Sequence, residues 1–261
     1  MKTFQIATNS FITLFIILSY NINSYAEDSG LANLFQKRGV EGTIIISSLD
    51  NKVIYIHNDS RSEKRFSPAS TFKIPNTLIA LEEEAIKDEN EIIKWDGMKR
   101  SFEAWNKDHT LLTAFPVSCV WFYQELARRI GKDKYIKYLK QLLYGNQKYG
   151  PELTTYWLQG DLKISAKEQI NLLKKIYKNE VPFKQSNIEI LKKIMIVENN
   201  PEYTIRAKTG TNPSIAWYVG YVESSNDVWF FALNIAIKNM NDARFRNEII
   251  KEALKQKKIV Q

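Results

Sequence analysis

The sequence predicts a mixed α/β (α+β) fold: one antiparallel sheet built from strands at both ends of the chain, with a helical lobe inserted between them. Three observations lead there. Short β-branched runs cluster near residues 42–56 and again after residue 203. The stretch between them carries apolar residues at helical spacing. A length of 261 residues, 44% of them hydrophobic, suits one large domain or two intergrown ones.

The N-terminus stands apart. Lys2 is followed by the apolar run Phe11-Ile12-Thr13-Leu14-Phe15-Ile16-Ile17-Leu18, and Ser24-Tyr25-Ala26 supplies small residues at both flanks of a cleavage motif. This is the pattern of a secretory signal peptide over residues 1–26, which leaves 27–261 as the mature domain. The apolar core is too short to cross a bilayer comfortably, so no stable membrane anchor is expected. The segment holds no Cys for lipid attachment.

Residues 42–46 and 53–56 flank Leu49-Asp50-Asn51-Lys52 and read as a β-hairpin. A helix is expected over 70–85, with Pro75 tolerated near its first turn. Pro116 is expected to open a helix that runs to Ile130 and stops at Gly131. Tyr135, Tyr138, Leu139, Leu142 and Leu143 form an amphipathic stripe ended by Gly145. Ser165 with Glu168, and Ser186 with Glu189, read as capping boxes of two further helices. Strands are expected over 203–209, 215–222 and 228–237, with a turn at 224–227 and a final helix over 242–257. Pockets tend to form where two such lobes meet.

Composition excludes several chemistries. The net charge is +8, and +7 without residues 1–26, which carry Lys2 and no acid. The basic residues are scattered along helices rather than gathered in a stripe, so nucleic-acid binding is not expected. Attraction of anionic small molecules is. The single Cys119 permits no internal disulfide and sits among Val117, Val120, Trp121 and Phe122 as a buried small hydrophobe. No His, Cys, Asp or Glu cluster has metal-ligand spacing. His57 and His109 lack a G-x-S-x-G partner, which turns attention to lysine as a base.

Ser70-Thr71-Phe72-Lys73 places a hydroxyl and an amine three residues apart, on one face of a helix. That is a nucleophile with a base beside it. Alone the motif also describes a solvated helix start. Ser118-Cys119-Val120 and Lys208-Thr209-Gly210 follow in order. A serine at a helix N-terminus gains unpaired N–H groups for developing negative charge. Lys73 can act as a base only if burial lowers its pKa, and Phe72, Trp121 and Trp157 are candidate walls of such a pocket. Ser118 can relay a proton or merely cap a helix. Lys208 and Thr209 can present a cation and a hydroxyl to a carboxylate, or merely end a strand.

Taken together the chain resembles the class D (oxacillinase-type) β-lactamases, a family of penicillin-recognising serine enzymes. Pro68-Ala69-Ser70-Thr71-Phe72-Lys73 resembles the family's nucleophile motif, Ser118-Cys119-Val120 its S-x-V, Tyr144-Gly145-Asn146 its Y-G-N and Lys208-Thr209-Gly210 its K-T-G. Trp157-Leu158 followed by Leu162-Lys163-Ile164-Ser165 resembles its tryptophan segment, and Trp217-Tyr218-Val219-Gly220-Tyr221 the strand after K-T-G. The related class A enzymes carry S-D-N, which this chain lacks.

The resemblance implies the penicillin-recognising serine enzyme fold and hydrolysis of β-lactam antibiotics, hence resistance. It implies a Ser70 acyl-enzyme and a Lys73 carboxylated by carbon dioxide or bicarbonate as general base, with no other cofactor. Trp157 would donate its indole N–H to the carbamate, and Val120 and Leu158 would lie over it. The N–H groups of Ser70 and Thr211 would form the oxyanion hole. Lys208, Thr209, Gly210, Thr211 and Arg246 would bind the substrate, with Arg244 a near competitor of Arg246. Thr211 stands where many relatives carry a large aromatic, which leaves substrate preference open. Export to the periplasm or medium is expected. The substrate spectrum and whether the protein forms a homodimer are open. Two other readings are the sensor domain of a β-lactam receptor and a D-alanyl-D-alanine peptidase. The single leader segment argues against the first, and S-x-V with the Trp157 segment against the second.

Overall fold

The computed structural model describes residues 26–225 and 227–261. Apart from Ala26, the expected signal peptide lies outside the described residues.

β1 (Gly42–Ser48) and β2 (Ile54–His57) form the expected hairpin. β3 (Ile196–Asn199), β4 (Tyr203–Asn212), β5 (Ile215–Ser224) and β6 (Val228–Ala236) follow late in the chain. Together they make a six-stranded antiparallel sheet in the order β2-β1-β6-β5-β4-β3. The N-terminal hairpin thus joins the C-terminal strands through β1 and β6, as the sequence predicts.

Strand pleating sends alternate residues to opposite faces. Ile45, Phe230, Ala232, Trp217 and Val219 face one core. Ile44, Ile46, Phe231, Leu233 and Ala216 face another. The second core is closed by α1 (Ser29–Gln36) and by α9 (Phe245–Gln256), which comes last in the chain. α1 was not expected, although Asp28 accepts from the Leu31 amide at its start and Leu31, Leu34 and Phe35 share one buried face.

The first core holds the helical lobe. After α2 (Asp59–Ser62) and a short 3₁₀ turn (Ala69–Phe72) comes α3 (Lys73–Glu82), buried from Lys73 to Leu81. Around it pack α5 (Val120–Ile130), α6 (Lys132–Gln141) and α8 (Gln185–Ile194), with α4 (Leu111–Ala114) ahead of α5, while α7 (Ala166–Tyr177) lies against β6, β1 and β5 of the sheet.

Several boundaries differ from the expectation. The nucleophile segment is a 3₁₀ turn and only then an α-helix, so Pro75 falls in the first turn of α3, where no N–H is required. α5 begins at Val120 rather than Pro116, because Ser118 has φ +55°, which is incompatible with a right-handed helix. Ser118 is therefore not its cap. The Ser165–Glu168 capping box is present. The Ser186–Glu189 box is not. α8 starts at Gln185 with Lys184 at its cap, two residues earlier than the box would place it, and Glu82 of α3 accepts from the Lys184 amide and the Asn187 side chain. Leu143 is 63% exposed, outside the buried stripe. The final helix is likewise preceded by a 3₁₀ turn, Met240–Arg244.

Candidate active site

The Ser70 segment turns sharply. Thr71 donates both its amide and its hydroxyl to the Pro68 carbonyl, at 3.1 and 2.7 Å, and Gln169 donates to the Thr71 hydroxyl at 2.8 Å. Ala69 is held at φ +47° and Ser118 at φ +55°. Such left-handed conformations cost about 1–3 kcal/mol each and persist where packing over-determines them. Both flank or carry a candidate catalytic hydroxyl.

Lys73 Nζ lies 3.0 Å from Ser70 Oγ, as the three-residue spacing requires. The lysine is fully buried. Desolvation pulls its pKa down to about 7. Cys119 beside it offers no counter-charge at neutral pH, since burial pushes its thiol up to about 11. The Tyr123 ring stands 4.9 Å from Lys73 Nζ, and the Tyr123 hydroxyl is bonded to Thr77. Phe72 stacks on Trp157 at 5.8 Å. Trp121, an expected wall, turns the other way. It donates to the Trp105 carbonyl and stands over Arg100.

Trp157 is fully buried, and its indole N–H finds no partner among the described residues. An unpaired buried donor is costly. Lys73 follows Phe72, the residue that stacks on Trp157, and a buried amine there suits capture of carbon dioxide, whose product is an anion rich in acceptors. The residues present therefore fit a carboxylated lysine.

Gly210 of β4 passes very close to Ser70. A Cβ there would meet the Pro68 carbonyl at 2.8 Å and the Ser70 nitrogen at 3.1 Å. Only glycine lets the strand and the nucleophile's N–H approach in this way. K-T-G is thus not a strand end, since β4 runs on to Asn212. Lys208, 3% exposed, reaches the Ser118 hydroxyl at 2.5 Å and the Thr209 carbonyl at 3.2 Å. Desolvation, with Lys73 and Arg246 nearby, holds its pKa well below the usual lysine range. Arg246, on the first turn of α9, bonds the Gly210 carbonyl and the Thr211 hydroxyl. Its burial lowers its pKa to about 10. Arg244 is two-thirds exposed and faces Glu248.

Ser70, Ser118, Val120, Leu158, Thr209, Gly210, Thr211 and Arg246 all line one cavity of about 440 Å³. Lys73 and Trp157 are buried and do not line it. Its rim holds Phe102, Trp105 and Met240, which the sequence reading missed. Phe102 and Met240 are more than half exposed. The one available signal was three large aromatics, Trp95, Phe102 and Trp105, in an otherwise polar stretch around 94–110. Among the described residues no group of His, Cys, Asp and Glu could hold a metal.

Tyr144-Gly145-Asn146 does not line the cavity, although the Tyr144 ring packs edge-on against Phe72 at 5.4 Å. Asn146 accepts from the Lys163 amide at 3.0 Å and donates to the Asp161 carbonyl at 2.7 Å, so this motif holds the segment after Trp157.

Comparison with known proteins agrees with this geometry. Residues 29–255 match the family model of the penicillin binding protein transpeptidase domain. The chain is 41% identical over 256 residues to β-lactamase OXA-3 of Pseudomonas aeruginosa, covering 97% of this chain and 92% of that one. It is 41% identical over 230 residues to β-lactamase OXA-48 of Klebsiella pneumoniae, covering 87% of each. Among solved structures, class D β-lactamase YbXI from Nostoc superposes with a TM-score of 0.84 at 44% identity, over 86% of this chain and 97% of that one. FUS-1 (OXA-85), a class D β-lactamase from Fusobacterium nucleatum subsp. polymorphum, gives 0.87 at 37% identity, over 90% and 100%.

Proposed function

The chain belongs to the class D β-lactamases and hydrolyses β-lactams, and we propose that it does so through a covalent ester on Ser70, with Lys73, carboxylated by carbon dioxide, as the seat of the general base. The observation that carries this reading is the pairing of a fully buried Lys73, 3.0 Å from Ser70 Oγ, with the unpartnered indole N–H of buried Trp157.

Binding comes first. Among the described residues no acid pairs with Lys208 or Arg246, so their charge is available to the carboxylate of a penicillin-like substrate. Thr209 and Thr211 add hydroxyls at the same wall of the cavity. The Ser70 and Thr211 amides are the oxyanion donors, brought together by the close approach of Gly210.

Ser70 Oγ then bonds to the lactam carbonyl carbon and gives up its proton on the Lys73 side. The carbon–nitrogen bond of the ring breaks, and Ser118, bonded to Lys208, relays a proton to the departing nitrogen. Water, deprotonated at the same base, cleaves the ester and returns the proton to Ser70. A carboxylated Lys73 supplies a basic oxygen for both proton transfers. Phe72, Tyr123 and Trp157 keep that base dry, and the Trp157 N–H satisfies it. Val120 and Leu158, which line the cavity, govern how water enters.

The proposal includes export with removal of residues 1–26, and antibiotic resistance as the outcome. Among the described residues no helix is long and apolar enough to cross a membrane. The test is multiple turnover of a penicillin by the mature protein. Sustained hydrolysis supports the reading. A single stoichiometric acylation would make the protein a sensor, and turnover of D-alanyl-D-alanine peptides alone would make it a peptidase.

A further inference from the structure

We propose that Ser67 is a positioning residue for the carboxylated lysine: its hydroxyl ties the Trp157 backbone to the nucleophile segment and so sets the indole N–H against Lys73. The inference rests on the reading of Lys73 given above. Ser67 Oγ lies 3.0 Å from the Trp157 carbonyl oxygen and 3.1 Å from that of Leu158. A hydroxyl has one proton to donate, so one O–H holds two successive carbonyls by sharing it. The Ser67 carbonyl in turn accepts from the buried Trp217 indole at 2.9 Å. Trp217 sits on β5 directly across from Gly210 on β4.

One residue therefore joins three parts of the site. Towards the C-terminus it continues through Pro68 and Ala69 to Ser70. Through its carbonyl it is fixed to the sheet, and through its hydroxyl to the tryptophan segment. The far end of that segment is held separately, by Asn146 and by the paired Phe66 and Ile164 backbones. At the near end, Ser67 is the hydroxyl that grips Trp157 and Leu158. The Trp157 side chain packs on Phe72, but its N–H has no partner among the described residues to orient it. Its aim depends on the backbone anchor. Leu158, which lines the cavity, is placed by the same tether.

The test compares wild type, Ser67→Ala and Ser67→Thr for the bicarbonate concentration giving half-maximal penicillin hydrolysis. Carbon-13 bicarbonate NMR reads occupancy of Lys73 directly, and Tm is followed alongside. Losing the shared hydrogen bond should raise the bicarbonate requirement of Ser67→Ala by about 3–10-fold and lower occupancy at fixed bicarbonate. Saturating bicarbonate should restore the rate, and Ser67→Thr should behave as wild type. In a Trp157→Phe background, Ser67→Ala should add little, since the donor it positions is gone. If the alanine variant folds poorly, Ser67→Cys, a similar shape with a weak donor, carries the same comparison. An unchanged bicarbonate requirement and occupancy in Ser67→Ala, beside a bicarbonate-dependent wild type, overturns the positioning role alone. So does an effect fully retained in the Trp157→Phe background. A wild type indifferent to bicarbonate overturns this inference and the reading of Lys73 together.

Discussion

Lys208 Nζ meets the Ser118 hydroxyl at 2.5 Å across ninety positions of sequence, and no acidic side chain among the described residues shares the contact. Burying a lysine without an anion disfavours its charged form. The burial that positions Lys208 therefore leaves the site short of negative charge, which an anionic substrate would supply.

Arg246 belongs to the same unsatisfied set. Among the described residues its guanidinium bonds only neutral oxygens of Gly210 and Thr211, and its Nε is buried without a partner. Arg246→Ala should lower kcat/KM for penicillins by about 10–200-fold, a charged hydrogen bond's worth of about 1.5–3 kcal/mol. Arg244→Ala should change little, because Arg244 is exposed. Steady-state kinetics on both variants decide the matter, and the reverse ranking would move the anchor to Arg244.

Activity should fall as pH drops through about 7. Burial depresses the Lys73 pKa to about 7, so above that value the amine is neutral and can take up carbon dioxide. Below it the ammonium dominates, and each further pH unit removes about nine-tenths of the reactive form. The sign for stability runs alongside: charging buried Lys73 costs the fold below pH 7, and the cost fades as pH rises towards the ordinary lysine value. The measurement is a pH profile of hydrolysis at fixed total carbon dioxide. A rate that stays flat from pH 8 to pH 5 would contradict the mechanism.

Gly145→Ala should destabilise the protein without touching the cavity. Gly145 has φ +51°, and a Cβ there would fall 2.0 Å from the Lys163 carbonyl. A backbone clash of this kind is expected to cost about 1–3 kcal/mol, which corresponds to a fall in Tm of about 2–12 °C. Thermal unfolding reads it. An unchanged Tm would mean that the Y-G-N segment does not clamp the segment after Trp157.

Ser70→Ala should abolish covalent labelling. Intact-mass spectra taken with a slowly hydrolysed β-lactam should show one adduct on the wild type and none on the variant. Labelling that survives the substitution would place the nucleophile elsewhere.

Much of this was legible in the sequence because it depends on short-range spacing. Ser70 and Lys73 meet through helical periodicity, and the two-ended sheet follows from β-branched runs at 42–56 and after 203. What escaped depends on contacts far apart in sequence. Tyr123 rather than Trp121 stands at Lys73, because the two lie on nearly opposite sides of α5 and Trp121 is held by the Trp105 carbonyl. The α8 cap comes from Glu82, about a hundred residues away. β3 is a four-residue exposed edge with no alternation to read. The rim residues Phe102, Trp105 and Met240 sit in irregular or 3₁₀ segments, where periodicity carries no signal.

The most direct test is carbon-13 bicarbonate NMR of wild type and Trp157→Ala, combined with a bicarbonate titration of penicillin hydrolysis near neutral pH. The mechanism requires a labelled carbamate on Lys73 in the wild type, loss of activity when bicarbonate is stripped, and recovery when it is restored. Trp157→Ala should need more bicarbonate and should slow deacylation more than acylation, since the buried anion loses its donor. Rates indifferent to bicarbonate in both proteins, with no labelled carbamate, would show Lys73 working as a plain amine and contradict the mechanism.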